Sequence, residues 1–321
     1  MTNIAIKAAS VGLLGLCFFT AHAQEGPPIR IIVPFAAGGG GDLLARNLAP
    51  KLSKELGRTF IVENKVGASG QLGMQFVKSA PADGSVVVFA SDQATIVVPL
   101  ISAKPGYDTL KDFVGLGQVA RFPYSLVVSN HTGVATLADF VAYLKKNPAQ
   151  ANVGMPSTGG IPELISSALE KKAGVAVTPV PYSGATPIIP FLLGGQLSAA
   201  AIGFNNALPL HTEGKAKVLA VSGDKRSVLL PAVPTFEELG MTGLKLVSTW
   251  TFYAPKSFAP AQAQRFNTAL NKILAEPEMV QKIASMSMEA APTTLKETAS
   301  ELQASTADWA ALLKSQGLAK P

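Results

Sequence analysis

The chain has 321 residues and a formal net charge of +6, yet only 15% of its residues are charged, against roughly 25% in ordinary globular proteins. No dense Lys/Arg cluster with interleaved aromatics accompanies the positive balance, which argues against nucleic acid as a partner and leaves general attraction of small anions. The single cysteine, Cys17, lies in the first segment, so the rest of the chain holds no disulfide and no cysteine metal ligand.

That first segment, "MTNIAIKAASVGLLGLCFFTAHAQ", has one basic residue (Lys7), an apolar stretch from Ala8 to Phe19, and small residues at Ala21 and Ala23. It reads as a secretory signal, residues 1–23, cleaved after Ala23. Leu16 stands where a lipoprotein signal needs a small residue, so an unlipidated protein starting at Gln24 is expected. No later apolar run reaches the 18 residues of a membrane span, which predicts a soluble product.

From there, short apolar runs alternate with amphipathic segments, the pattern of an α/β fold with largely parallel sheets. Strands are predicted at Arg30–Phe35, Phe60–Asn64, Ser85–Ala90, Ser125–Ser129, Asn152–Met155, Thr178–Pro181, Ala199–Gly203, Lys217–Ser222 and Leu244–Ala254. The first strand runs into "PFAAGGGGDLLAR", where Leu43, Leu44, Leu48 and Leu52 recur at helical spacing. Glycines 38–41 would let backbone N–H groups, unobstructed by Cβ atoms, approach an anion at the start of that helix. Asp42 reads as a cap and loop stiffener, because a carboxylate beside an anion would repel it, and Arg46 as the partner of an acid or a solvent-facing cation. A fresh helix start follows at Thr136, with Asp139 at the capping-box position. Extended segments near Ser125 and Lys245 suit a chain that leaves one lobe, builds a second and returns. Residues 24–124 and 246–321 are assigned to lobe one and 125–245 to lobe two, with a cleft between them.

Further loops repeat the grammar of the first. They supply Ser91, Asp92, Gln93 and Thr95; Ser157, Thr158, Gly159 and Gly160; Tyr182, Ser183 and Gly184; and Phe204, Asn205 and Asn206. Loops at the carboxyl ends of strands in open α/β sheets converge on a ligand. These offer hydroxyls, amides and backbone N–H groups, with hardly a cation among them. Enzyme signatures are missing. The glycine run has Leu43 and Leu44 where G-x-G-x-x-G/A needs its third small residue, and it lacks the P-loop lysine. "GASGQ" at 67–71 fails as a nucleophile elbow. Beyond the signal only His131 and His211 remain, about 80 residues apart, so neither a triad nor a zinc site assembles.

The stretches "PPIRIIVPFAAGGGGDLLAR", "VENKVGASGQLGMQFVKSAPADG", "VPYSGATPIIPFLLGGQLSAA" and "VLAVSGDKRSVLLPAVPTFEELG" closely resemble the solute-binding proteins of tripartite tricarboxylate transporters, also called Bug-type receptors. The resemblance implies a two-lobed periplasmic binding protein of type II, a Venus flytrap with mixed, mostly parallel sheets flanked by helices. It also implies a small organic acid as ligand and the transmembrane subunits of a tripartite transporter as partners.

In such receptors a carboxylate sits between the loop after the first strand and the loop opening the first helix of lobe two. Carried onto this chain, those are Phe35 to Asp42, with Ala37, Gly38, Gly39, Gly40 and Gly41 between, and Ser157 to Gly160. Ser91, Asp92, Thr95, Tyr182, Gly184, Phe204 and Asn205 would line the rest. The family usually has Asp where Asn205 stands, and its loss argues against a ligand bearing an ammonium. It commonly has His where Glu163 stands, which here reads as a first-turn helix acid. The expected protein is a monomeric, non-catalytic receptor for a mono- or dicarboxylate, aromatic ligands included given Phe35, Tyr182, Phe204 and Trp250, with no cofactor and no metal. The competing readings are a receptor presenting its ligand to a membrane sensor kinase and, behind it, a secreted α/β hydrolase.

Overall fold

A computed structural model describes residues 26–81 and 83–318; the expected signal segment and Cys17 lie outside the described residues. The first strand, β1 (Ile29–Val33), pairs in parallel with β2 (Phe60–Asn64) and β3 (Val86–Ser91), and Ile31 faces Val62 on one side and Val87 on the other. Ile31, Ile32 and Val33 are wholly buried, as a continuous β-branched run should be when helices cover both faces of the sheet. Helix α1 (Gly40–Leu56) lays Leu44, Leu48 and Leu52 into the same core and stops at Gly57, whose φ of 68° is the left-handed cap that glycine adopts without strain.

The first sheet has six strands in the order β11-β4-β10-β3-β1-β2, with β4 at Phe113–Phe122, β10 at Ser248–Pro255 and a short β11 at Glu289–Ala290. The second has five in the order β7-β6-β8-β5-β9: β5 is Tyr124–Ser129, β6 Asn152–Met155, β7 Thr178–Pro181, β8 Ala199–Gly203 and β9 Ala216–Val221. Pairing is parallel around β1 and β6. It turns antiparallel where β10 enters between β3 and β4, and where β5 enters between β8 and β9. Both sheets are therefore mixed, and the antiparallel members are the strands by which the chain crosses and returns.

Helix α2 (Leu137–Lys146) carries the predicted box, Thr136 Oγ1 accepting from the Asp139 N–H at 3.1 Å while the Asp139 carboxylate accepts from the Thr136 N–H at 3.1 Å. Helix α3 (Gly160–Ala173) and helix α4 (Phe204–Thr212) follow β6 and β8; α5 (Pro260–Leu274) and α6 (Leu295–Ser315) come after β10. Among the described residues no helix is long and apolar enough to cross a membrane.

The extended run through "ARFPYSLVV" is one stretch in sequence and two strands in space. Pro123 has no N–H to give a ladder, and its carbonyl instead accepts from the Phe204 N–H at 2.9 Å, so β4 ends in one sheet and β5 begins in the other. The return crossing is tied to it: Tyr124 N–H donates to Ser222 Oγ at 2.9 Å and Ser222 N–H to the Tyr124 carbonyl at 2.7 Å.

Candidate functional site

The loop between β1 and α1 is held from within. The Asp42 carboxylate, 3% exposed, accepts from the Gly38 N–H at 2.9 Å, from Arg46 at 3.0 Å and from the Asn64 amide at 3.0 Å. Burial alone would raise its pKa, but the Arg46 guanidinium, the Gly38 N–H and the Asn64 amide together hold it below the usual carboxylate range. Asp42 thus stiffens the loop, as expected from sequence. The first helical bond of α1 runs from the Leu43 N–H to the Gly39 carbonyl at 3.0 Å, so the N–H groups of Gly40, Gly41 and Asp42 precede the helical ladder and carry the positive end of the helix dipole.

Because Arg46 is half exposed, its pairing with Asp42 is discounted for solvent screening. Arg46→Ala is expected to lower stability by about 1 kcal/mol in urea denaturation and to leave ligand affinity within a few-fold of wild type.

A small cavity lies between the two sheets and is lined by residues of both. Of the residues expected there, Phe35, Gly39, Gly40, Gly41 and Asp42 form one wall with Ser91 behind them, and Ser157, Gly184 and Asn205 form the other. Ala37 and Gly38 are exposed away from the lining, and Thr158 is exposed where the two walls meet. Gly159 and Gly160 are buried against Ile101 and Gln93. Asp92 and Thr95 are buried off the lining, Tyr182 packs on Phe191 at 5.6 Å, and Phe204 is in the core of the second sheet.

The cavity also takes in Gln93, Asn206, Trp250, Phe122 and Tyr124. Gln93 and Asn206 stand in loops that the sequence marks, and Trp250 lies on β10. Phe122 and Tyr124 flank Pro123 at the crossing, and no local pattern announces them.

The glycines meet side chains as well as any ligand. A Cβ at Gly40 would stand 2.1 Å from Asn205 Nδ2, and one at Gly41 would stand 2.2 Å from the Trp250 ring. Bare backbone is needed there so that an amide from one wall and an indole from the other can close on the start of α1. Among the described residues, no Lys, Arg or His lines the cavity. Two of its polar atoms, Ser157 Oγ and Trp250 Nε1, are buried without a hydrogen-bond partner among the described residues, a costly state that a ligand acceptor would relieve.

The walls also bond to each other. Ser69 Oγ accepts from the Thr158 N–H at 3.0 Å and lies 3.0 Å from its hydroxyl, Gln93 donates to the Thr158 carbonyl at 2.7 Å, and the Ala36 N–H donates to the Ser183 carbonyl at 3.2 Å. Glu163 accepts from the Gly159 N–H at 2.6 Å, so the first-turn acid caps its own helix. Removing the Ser69 bonds across the cleft with Ser69→Ala is expected to weaken ligand binding roughly 2- to 13-fold, at about 0.5–1.5 kcal/mol, with the change carried by faster dissociation in stopped-flow measurements. Beneath the wall, the Asp92 carboxyl accepts from the Ser248 hydroxyl, yet burial pushes its pKa up to about 6.

The sequence model of the tripartite tricarboxylate transporter family receptor matches residues 44–318. The chain belongs to this receptor family. The "UPF0065 protein in gbd 5'region" of Cupriavidus necator is 33% identical to it over 290 residues, covering 88% of this chain and 86% of the relative. BugT of Bordetella pertussis is 29% identical over 300 residues, covering 93% and 92%. Among solved structures, R. palustris Rpa4515 with adipate superposes with a TM-score of 0.86 at 27% identity over 92% of this chain and 99% of that one. The periplasmic binding protein BugD matches with a TM-score of 0.86 at 28% identity, over the same shares. Receptors of this tripartite family are periplasmic solute-binding proteins, and two mixed sheets with a cleft between them are their architecture.

Proposed function

We propose that this receptor captures a small aliphatic mono- or dicarboxylate in the cleft and delivers it to the transmembrane subunits of a tripartite transporter. The observation that carries the reading is the meeting, in one cavity, of the first-turn N–H groups of α1 with neutral donors from both walls and no cationic side chain. Such a site favours an anion through oriented dipoles. The adipate held by the relative Rpa4515 supports the ligand class. Asn205, uncharged, offers no counter-ion to an ammonium, which favours an acid without an amino group. An aliphatic chain is preferred because the Trp250 ring lies nearly parallel to both Phe89 and Phe122, 5.4 and 5.8 Å away.

In this reading residues 1–23 are removed on export, and lobe one (24–124 and 246–321) and lobe two (125–245) close as a monomer about the two crossings. The ligand shell is drawn from Phe35, Gly39 to Asp42, Ser91 and Gln93, Ser157, Gly184 and Asn205. A thermal-shift screen of organic acids tests it. An acid at 100 times its Kd adds roughly 2.7 kcal/mol to folded-state stability, which lifts the melting temperature by several degrees. A screen in which amines or sugars stabilise the protein and no carboxylate does would overturn the reading.

A further inference from the structure

Trp250 stands on β10 between two strands that carry its neighbours. Phe89 is on β3 and Phe122 on β4, on opposite sides of β10, so they approach the indole from opposite sides, with interplanar angles of 28° and 20°. Phe35 meets the ring edge to face at 5.8 Å. Both faces of the indole are thus occupied by the protein, and the ring cannot serve as a stacking platform. Trp250 still lines the cavity, and its Nε1–H is buried with no acceptor among the described residues, in a residue only 6% exposed. A buried indole N–H normally finds a partner.

We infer that Trp250 is a specificity-determining residue, its indole N–H requiring an acceptor oxygen on the part of the ligand that lies against this aromatic wall. This rests on the carboxylate reading above and adds to it. An acid whose chain is bare hydrocarbon at that point leaves the N–H unpaired and is rejected, as a site built to donate a hydrogen bond rejects an analogue lacking the acceptor. The acid favoured is one with a second oxygen function; a monocarboxylate with an alkyl tail is disfavoured.

The test uses matched pairs by calorimetry: succinate with butyrate, glutarate with valerate, adipate with hexanoate. Wild type is expected to prefer the diacid of its best pair. Trp250→Phe, which keeps the aromatic wall, is expected to lose roughly ten- to 150-fold in diacid affinity while the monoacid holds or gains. In 15N-tryptophan-labelled wild type there are two indole cross-peaks, from Trp250 and Trp309. Diacid should move the Trp250 proton downfield and leave that of Trp309, which is buried on α6.

An unchanged diacid-to-monoacid ratio in Trp250→Phe overturns the inference. So does a stationary Trp250 cross-peak on saturation, which would make the residue merely structural. Tighter binding of the monoacids to wild type overturns it too, while leaving the carboxylate reading intact; no binding by any of the six acids defeats both for this size class.

Discussion

Gly41→Ala is expected to reduce carboxylate binding at least 100-fold. The added methyl would stand 2.2, 2.5 and 2.6 Å from three atoms of the Trp250 ring, well inside van der Waals contact. The ring has little room to retreat, since Phe89 and Phe122 flank it and Phe35 abuts it. The first turn of α1 must move instead, carrying with it the N–H groups on which an anion would rest. Overpacking of this kind costs about 1–3 kcal/mol of stability, so the variant should fold.

Gly40→Asp reaches the same end by another route, because its Cβ would displace the Asn205 amide of the facing wall and its charge would repel a carboxylate. Gly57→Ala is the control. It sits at the far end of α1 with nothing within 4 Å of the new methyl, but at a φ of 68°. It should cost about 1 kcal/mol of stability and bind normally. Titration calorimetry of the three proteins decides the matter, and normal binding by Gly41→Ala would show that the ring yields and the helix start does not.

A second large effect is expected in the pH dependence of stability. Asp92 titrates near 6 in the folded protein because burial disfavours its charge, against an ordinary value of 3.8. The folded state therefore holds this proton more tightly than the unfolded state does. The penalty is absent below pH 3.8, grows as pH rises, and is fully present above about 6, so this group lowers stability with increasing pH across that window. A shift of this size corresponds to about 3 kcal/mol. Asp92→Asn cannot ionise, so its stability relative to wild type should rise by about 3 kcal/mol between pH 3.8 and pH 7, whatever the constant cost of altering the bonds to Ser248 and the neighbouring backbone. Urea denaturation of both proteins at several pH values measures this difference, and a gap that stays constant would mean that Asp92 titrates as an exposed acid.

Legibility in sequence followed the range of the forces involved. The β1 to α1 junction and the Thr136 and Asp139 box depend on neighbours a few residues away, and the pattern of apolar residues and caps was enough to read them. β4 was harder: Gly115 and Gly117 interrupt its apolar run, and its division from β5 rests on Pro123 meeting the Phe204 N–H from 81 positions on. β10 was read as starting at Leu244 because its apolar run begins there, whereas the ladder begins at Ser248, where β4 becomes available as a partner.

For the cavity, the loops that follow strands were visible as loops, but which of their residues face inward depends on how the walls meet. Thr158 and Ser157 are adjacent and chemically alike; one bonds to Ser69 and the other lines the cavity. The orientation of Trp250 is set by strands whose residues are some 130 to 160 positions away in the chain, and no local pattern encodes it.

The place of β10 also governs the order in which the molecule can be made. All strands of the second sheet have emerged once Val221 is synthesised, whereas the first sheet lacks a central strand until Pro255. Until then β3 and β4 present unpaired edges, the kind of surface that invites wrong pairing. The middle of the polypeptide can therefore finish folding before its beginning. The late insertion of one strand between two waiting partners, a contact of long sequence separation and correspondingly high loop-closure cost, is the step expected to be slow. A nascent chain halted before Ser248 would hold one finished sheet and one gap, and that gap is where a chaperone would have to work.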